Sequence, residues 1–366
     1  MKKLLAILLA AILAFGVCSA FAEAIDYDAI PDEMTSEDGK YPVAFVTDVG
    51  QLKDKSFNEG IYNGTKRFAS ENGMAYKYYQ PANGSQATGD DRYDAMKAAV
   101  NGGAQVVVIS GFMAGPEIEK ASAEFPDVKW VWVDGSAFGK NTVGLAFREE
   151  QCGFFAGYAC VKDGYTKLGF AGGGGGTNPA CCRYGYGFVQ GAEAAAEELG
   201  VQVEMNYSWL YGATFSASPE LEAMLNSWYE NGTEVIFPCG GPMYISAFSA
   251  AAANDAWALG VDSDYADISP VVLTSPLKGV GAATYDILNK WKDGKWDEVG
   301  GTSPVYGTAD GAIALPTAEG SWRFKKFTVE EYEKMVQDVI NGSLVIDDDY
   351  NNLKYEYPNM KINLVE

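Results

Sequence analysis

The chain has 366 residues, with 49 acidic against 27 basic side chains and a formal charge of −22 at pH 7. That balance disfavours nucleic-acid binding, which needs a basic footprint, and the length suggests two domains. There is no histidine, which removes Ser-His-Asp triads, Cys-His dyads, HExxH metal sites and histidine general bases together.

Residues 1–22 have the layout of a secretory signal peptide: a basic Met1-Lys2-Lys3 start, an apolar run from Leu4 to Val17, and the small-x-small cleavage signal Ala20-Phe21-Ala22. The apolar run is too short to span a bilayer. The mature protein is therefore expected to be exported, with membrane anchoring through a lipid on Cys18 left open as a second processing route. Residues 23–40 are polar and acidic and read as a leader.

From there, short apolar runs alternate with helical stretches. Strands are predicted over 43–48, 75–80, 105–110 and 129–134, separated by helices over 56–71, 91–101 and 116–124. A second set places strands over 167–171, 201–209, 234–239 and 259–262, with helices over 184–199, 219–231 and 245–258. Runs such as Val106-Val107-Val108-Ile109 are apolar on consecutive positions, as parallel strands covered on both faces should be. This is βαβ architecture, repeated as two doubly wound lobes: an N-lobe over 41–145 and a C-lobe over 146–270. Residues 271–366 are assigned to segments shared between the lobes. They include a strand over 271–274, helices over 282–292 and 329–341, and a strand-poor tail.

Open α/β sheets bind ligands outside the carboxyl ends of their strands, where Asp48, Asp134 and Asp262 all stand. Each could merely cap the following helix; three at matching edges favour a shared cleft. Ionised carboxylates are acceptors only and suit hydroxyl or N–H groups. Phe57 alone reads first as a core staple, but Asn58 beside it tips the reading to a ring that stacks on a nucleobase and an amide that reads the heterocycle edge. Lys278 is a solvated lysine or a donor to hydroxyls. The glycine run 172–176 fits neither a P-loop nor GxGxxG and reads as a flexible turn that lets backbone approach a ligand. Five cysteines follow Ala22 without CxxC spacing; Cys152 and Cys160 read as small buried residues, and a bridge from Cys181 or Cys182 stays open. No residue pattern calls for a metal or cofactor.

Asp48-Val49-Gly50 with Asp54-Lys55-Ser56-Phe57-Asn58 resembles the opening motif of the basic-membrane-protein family, the substrate-binding proteins of ABC importers typified by purine nucleoside receptors. In order after it come Ser110-Gly111-Phe112, Ala146-Phe147-Arg148-Glu149-Glu150, Gly260-Val261-Asp262-Ser263-Asp264, Thr274-Ser275-Pro276-Leu277-Lys278 and Asp310-Gly311. The resemblance implies a type I periplasmic-binding-protein fold, two lobes joined by three crossovers, that closes on a ligand without chemistry. It implies that Asp48 and Asn58 meet a base edge and that Phe57 stacks on the base, with Phe215 closing the sandwich. Asp262 and Lys278 address the ribose, while Asp134, Gly111 and Phe112 line the N-lobe rim. The implied partners are a nucleoside and an ABC permease, the protein itself being a monomer. Two departures fall in the C-lobe: Ala217 replaces an aspartate, and Gly240-Gly241-Pro242-Met243 replaces a Gly-Gly-Thr-Gly turn. A same-fold receptor for a sugar or flavin, and a carboxylate-based nucleoside or glycoside hydrolase, are the alternatives.

Overall fold

A computed structural model describes residues 25–49 and 51–366. The export signal and Cys18 lie outside the described residues. In chain order the first lobe carries β1 (Val43–Val46), α1 (Phe57–Glu71), β2 (Tyr76–Tyr79), α2 (Gly89–Asn101), β3 (Val106–Ser110), α3 (Gly115–Glu124), β4 (Lys129–Val133) and β5 (Thr142–Phe147). The second carries α4 (Glu149–Asp163), β6 (Lys167–Gly172), α5 (Pro179–Leu199), β7 (Val203–Ser208), α6 (Pro219–Glu230), β8 (Val235–Cys239), α7 (Tyr244–Ala253) and β9 (Trp257–Ala258). The remainder is β10 (Leu277–Lys278), α8 (Val280–Lys292), α9 (Trp296–Val299), β11 (Val305–Tyr306), β12 (Ile313–Ala314), α10 (Val329–Ile340) and β13 (Met360–Val365).

Two parallel sheets result, ordered β11-β5-β4-β3-β1-β2 and β13-β7-β6-β8-β9. Strands β1, β3 and β8 are buried at every residue, as sheets covered by helices on both faces require. The chain passes between the lobes three times. It leaves the first sheet between β5 and α4, returns through β10 to α8, which packs on α1, and leaves again after β11 through β12. β10 and β12 pair antiparallel, so two of the crossings brace each other. Cys152 of α4 lies beneath them, its single S–H within reach of both Leu277 O at 3.4 Å and Ala314 O at 3.3 Å.

Several sequence expectations need correcting. β5 and α4 were absent from the predicted elements. α4 is buried on nearly every face and so shows no amphipathic stripe. Its Gly153 and Gly157 let α5 approach: a Cβ on either would stand 2.1 Å from a carbonyl oxygen of Tyr184 or Phe188. The predicted strand over 259–262 is a two-residue strand at 257–258 followed by single bridges, and the predicted helix over 245–258 stops at Ala253 with Asn254 as its cap. The tail is not strand-poor, since β13 extends the second sheet alongside β7 over six residues. The leader packs on the first lobe: Met34 bridges to Tyr76, and the Tyr62 and Tyr76 hydroxyls donate to the Asp32 and Pro31 carbonyls. All five described cysteines are free and buried, so no bridge forms from Cys181 or Cys182.

Candidate functional site

Between the carboxyl ends of the two sheets lies a cavity of about 640 Å³, counting the part open to solvent. From the first lobe Asp48, Asp54, Phe57, Asn58, Gly111 and Asp134 line it. From the second come Asn178, Cys181, Tyr184, Phe215, Cys239, Gly240 and Asp262, with Lys278 on the crossing strand. Phe112 does not line it. Gly111 turns at φ +85°, and the half-buried Phe112 begins the short 3-10 turn beyond.

The β1–α1 loop explains its own composition. Asp54 caps α1, accepting the N–H groups of Ser56 at 2.9 Å, Asn58 at 3.0 Å and Glu59 at 3.1 Å, which satisfies donors a helix start leaves open. Ser56 reaches across the cleft, its hydroxyl donating to Asp262 Oδ2 at 2.8 Å. Phe57 is half-buried in the cavity wall. Asn58 is held on every side: Oδ1 accepts from the Ser110 hydroxyl at 2.6 Å, and Nδ2 donates to Val49 O at 3.3 Å and Gln51 O at 3.4 Å. Its two amide hydrogens are therefore already taken.

Asp48 lies flat on Gly111, where a Cβ would stand 1.7 Å from its carboxylate oxygen. Burial raises its carboxyl to about 7, against the opposing effects of the Val49 N–H and Arg92. Asp134, just past β4, and Asp262, at a single bridge to Leu277, take the left-handed conformation at φ +64°, and Phe215, in the loop between β7 and α6, takes it at +55°. Non-glycine residues adopt this conformation uncommonly, and such strain gathers at functional sites. Of seven such residues among those described, three line this cavity.

Lys278 is placed by its own main chain, whose N–H donates to Asp262 O at 3.0 Å. Its ammonium is 1% exposed and makes three close contacts, to Asp134 Oδ1 at 2.7 Å, Asp134 Oδ2 at 2.8 Å and Glu149 Oε1 at 2.8 Å. An ammonium has three donors; two are hydrogen-bonded to Asp134, and Glu149 pairs with the charge as an ion-pair contact. Glu149, fully buried, is held in turn by Arg183 Nε at 2.6 Å. Burial alone would lower the lysine pKa, but Asp134, Glu149 and Asp262 outweigh it and raise it. Burial works against the Glu149 anion too, yet Lys278 and Arg183 bring its pKa below the ordinary value. The result is a paired, charged chain running from the first lobe through the crossing strand into α4 and α5, which is how buried charges persist. The lysine also lies 5.0 Å from the ring centroids of Phe57 and Phe147, within cation–π range.

On the second lobe the glycine run has a defined task. Gly174, Gly175 and Gly176 take φ of +72°, +59° and +78°, a left-handed turn that only glycine adopts without cost. Gly173 seats the Phe215 ring, since a Cβ there would stand 2.5 Å from it. Sequence reasoning missed Glu149, Arg183, Asn178 and Tyr184. Asn178 directly before Pro179 carried a legible helix-start signal, but the predicted helix began at Tyr184. Glu149 stood in the sequence only as part of the motif Ala146-Phe147-Arg148-Glu149-Glu150, with no role attached to it.

Two α/β lobes, three crossings and a cleft between strand ends define the class of fold, that of the periplasmic binding proteins. The chain belongs to the Bmp family, ABC transporter substrate-binding protein PnrA-like, whose model matches residues 41–349. It is similar to an ABC transporter nucleoside-binding protein of Lactococcus lactis, 27% identical over 327 residues that cover 83% of this chain and 88% of the relative. It is also similar to basic membrane protein B of Borrelia garinii, 27% identical over 339 residues covering 89% of this chain and 92% of that one. Among solved structures, an ABC transporter solute-binding protein of Aeropyrum pernix superposes with a TM-score of 0.70 at 21% identity, covering 85% of this chain and 95% of that chain. The last likeness bears on fold alone. Among the described residues no helix is long and apolar enough to cross a membrane.

Proposed function

We propose that this protein is the extracytoplasmic receptor of an ABC importer, that it takes up a purine nucleoside between its lobes, and that it hands the ligand unchanged to a permease. The observation that carries this reading is the convergence of Asp48, Asp134 and Asp262 with Phe57 and Phe215 on one cavity. Flat rings hold a heterocycle by stacking, about 1–3 kcal/mol per base. Carboxylates accept from ribose hydroxyls, at about 1.5–3 kcal/mol for a hydrogen bond to a charged group. Four lining aspartates against one lysine disfavour a phosphate or carboxylate on the ligand. For Lys278 to reach a hydroxyl it must release one of its two contacts with Asp134, an exchange that Glu149 allows by keeping the ammonium in place. The lobes close on the ligand and exclude water. In this reading the protein works as an exported monomer.

The same carboxylates would serve a hydrolase, so the test separates the two. Purified protein incubated with inosine should raise its melting temperature and leave the inosine intact. Release of hypoxanthine would make it an enzyme, and no thermal shift with any nucleoside would remove the reading.

A further inference from the structure

Donors are scarce in this cavity. The three N–H groups of Lys278 face Asp134 and Glu149, both amide hydrogens of Asn58 go to backbone carbonyls, and the Tyr184 hydroxyl donates to Asp262 Oδ1 at 3.2 Å. Asn178 is different. It is 7% exposed and lines the cavity. Its Oδ1 accepts the backbone N–H groups of Ala180 at 2.9 Å and Cys181 at 3.2 Å, as the N-cap of the 21-residue α5. Those two donors fix the amide orientation, because a flipped amide would set NH₂ against N–H. Nδ2 is therefore the free end. Among the described residues it has no hydrogen-bond partner, and it is not one of the buried side-chain atoms sealed off without one.

A tip that can only donate, with two hydrogens, matches an edge that only accepts. The N7/O6 edge of a 6-oxopurine presents two acceptors, whereas a 6-aminopurine places a donor beside N7. We propose that Asn178 is a specificity-determining residue that reads the N7/O6 edge of the base and makes the receptor select 6-oxopurine over 6-aminopurine nucleosides. The inference rests on the nucleoside reading above. It assigns to the second lobe the base-reading amide that the sequence had placed at Asn58.

Two substitutions separate this role from the cap. Ser and Asp cap helices about as well as Asn, so Asn178→Ser removes the NH₂ without adding charge and Asn178→Asp replaces it with an acceptor. The dissociation constants of inosine and adenosine are measured for the wild type and both variants, with melting temperatures as the folding control. The wild type should hold inosine about tenfold or more tighter than adenosine. Asn178→Ser should weaken inosine about tenfold while changing adenosine little, and Asn178→Asp should narrow the preference further or reverse it. An inosine-to-adenosine ratio that stays the same in both folded variants, or a wild type that prefers adenosine, overturns the inference and leaves the receptor reading standing. A wild type that binds neither nucleoside overturns both.

Discussion

The Asp48 carboxyl is kept near 7 by burial, and Asp54 and Glu150 are raised to about 7 for the same first reason. Between about pH 4 and pH 7 the folded protein therefore holds protons that the unfolded chain releases. By linkage, stability is highest below the unfolded carboxyl range, falls as pH rises through 7, and levels off above it. Asp48→Asn removes one such group. It should raise unfolding stability at pH 8 by at least about 1 kcal/mol, the worth of somewhat less than one pKa unit, while weakening nucleoside binding. Urea unfolding at pH 5 and pH 8 checks the sign; a variant less stable than wild type at pH 8 would contradict it. Phe57 is only half-buried, so Phe57→Ala should leave the fold intact and cost at least tenfold in affinity, within the range for one stacking contact. Affinity unchanged in calorimetry would make the ring a wall of the cavity and nothing more. At this scale the acids at strand ends were legible, because a polar residue ending an apolar run stands out. What was not legible was how each polar side chain spends its hydrogen bonds: Asn58 and Asn178 look alike in sequence and differ only in their neighbours.

The α4–α5 seam joins architecture to site. Glu149 opens α4, Arg183 lies in the second turn of α5, and the two helices meet through glycine on both sides. A Cβ on Gly187 would stand 2.0 Å from Glu150 O, and one on Gly191 would stand 2.0 Å from Phe154 O. Gly157→Ala should therefore force the helices apart and destabilise the protein by about 1–3 kcal/mol, as overpacking does. It should also weaken ligand binding, because the Glu149 that anchors Lys278 moves with its helix. Chemical denaturation and titration of the variant check both, and wild-type values in each would show that the seam has slack. The α4 side of the seam was hidden from periodicity analysis for the reason that makes it work. α4, pressed this closely, is buried on nearly every face and shows no apolar stripe. β13 was legible and missed: Met360, Ile362 and Leu364 alternate with Lys361 and Asn363, the period-2 pattern of a half-buried strand.

On the scale of the whole molecule, the alternation of apolar runs and helices announced two doubly wound lobes, and the sheet orders have that form. The crossings between lobes carry little sequence signal, since β10, β11 and β12 are two residues each. They nevertheless decide the site, for Lys278 is the last residue of β10. Contacts already span the cleft, with Ser56 on Asp262 and Lys278 on Asp134, so the lobes meet through the side chains assigned to the ligand. A guest must replace some of these bonds with its own, and a neutral, hydroxyl-bearing heterocycle does so without adding to the negative charge. The most direct test is a calorimetric titration of the purified, ligand-stripped protein with inosine and, separately, with inosine 5′-monophosphate. Inosine should bind saturably, one to one, and the phosphate at least about a hundredfold more weakly, because it meets four aspartates. Equal binding of the two, or no heat from inosine, would contradict it.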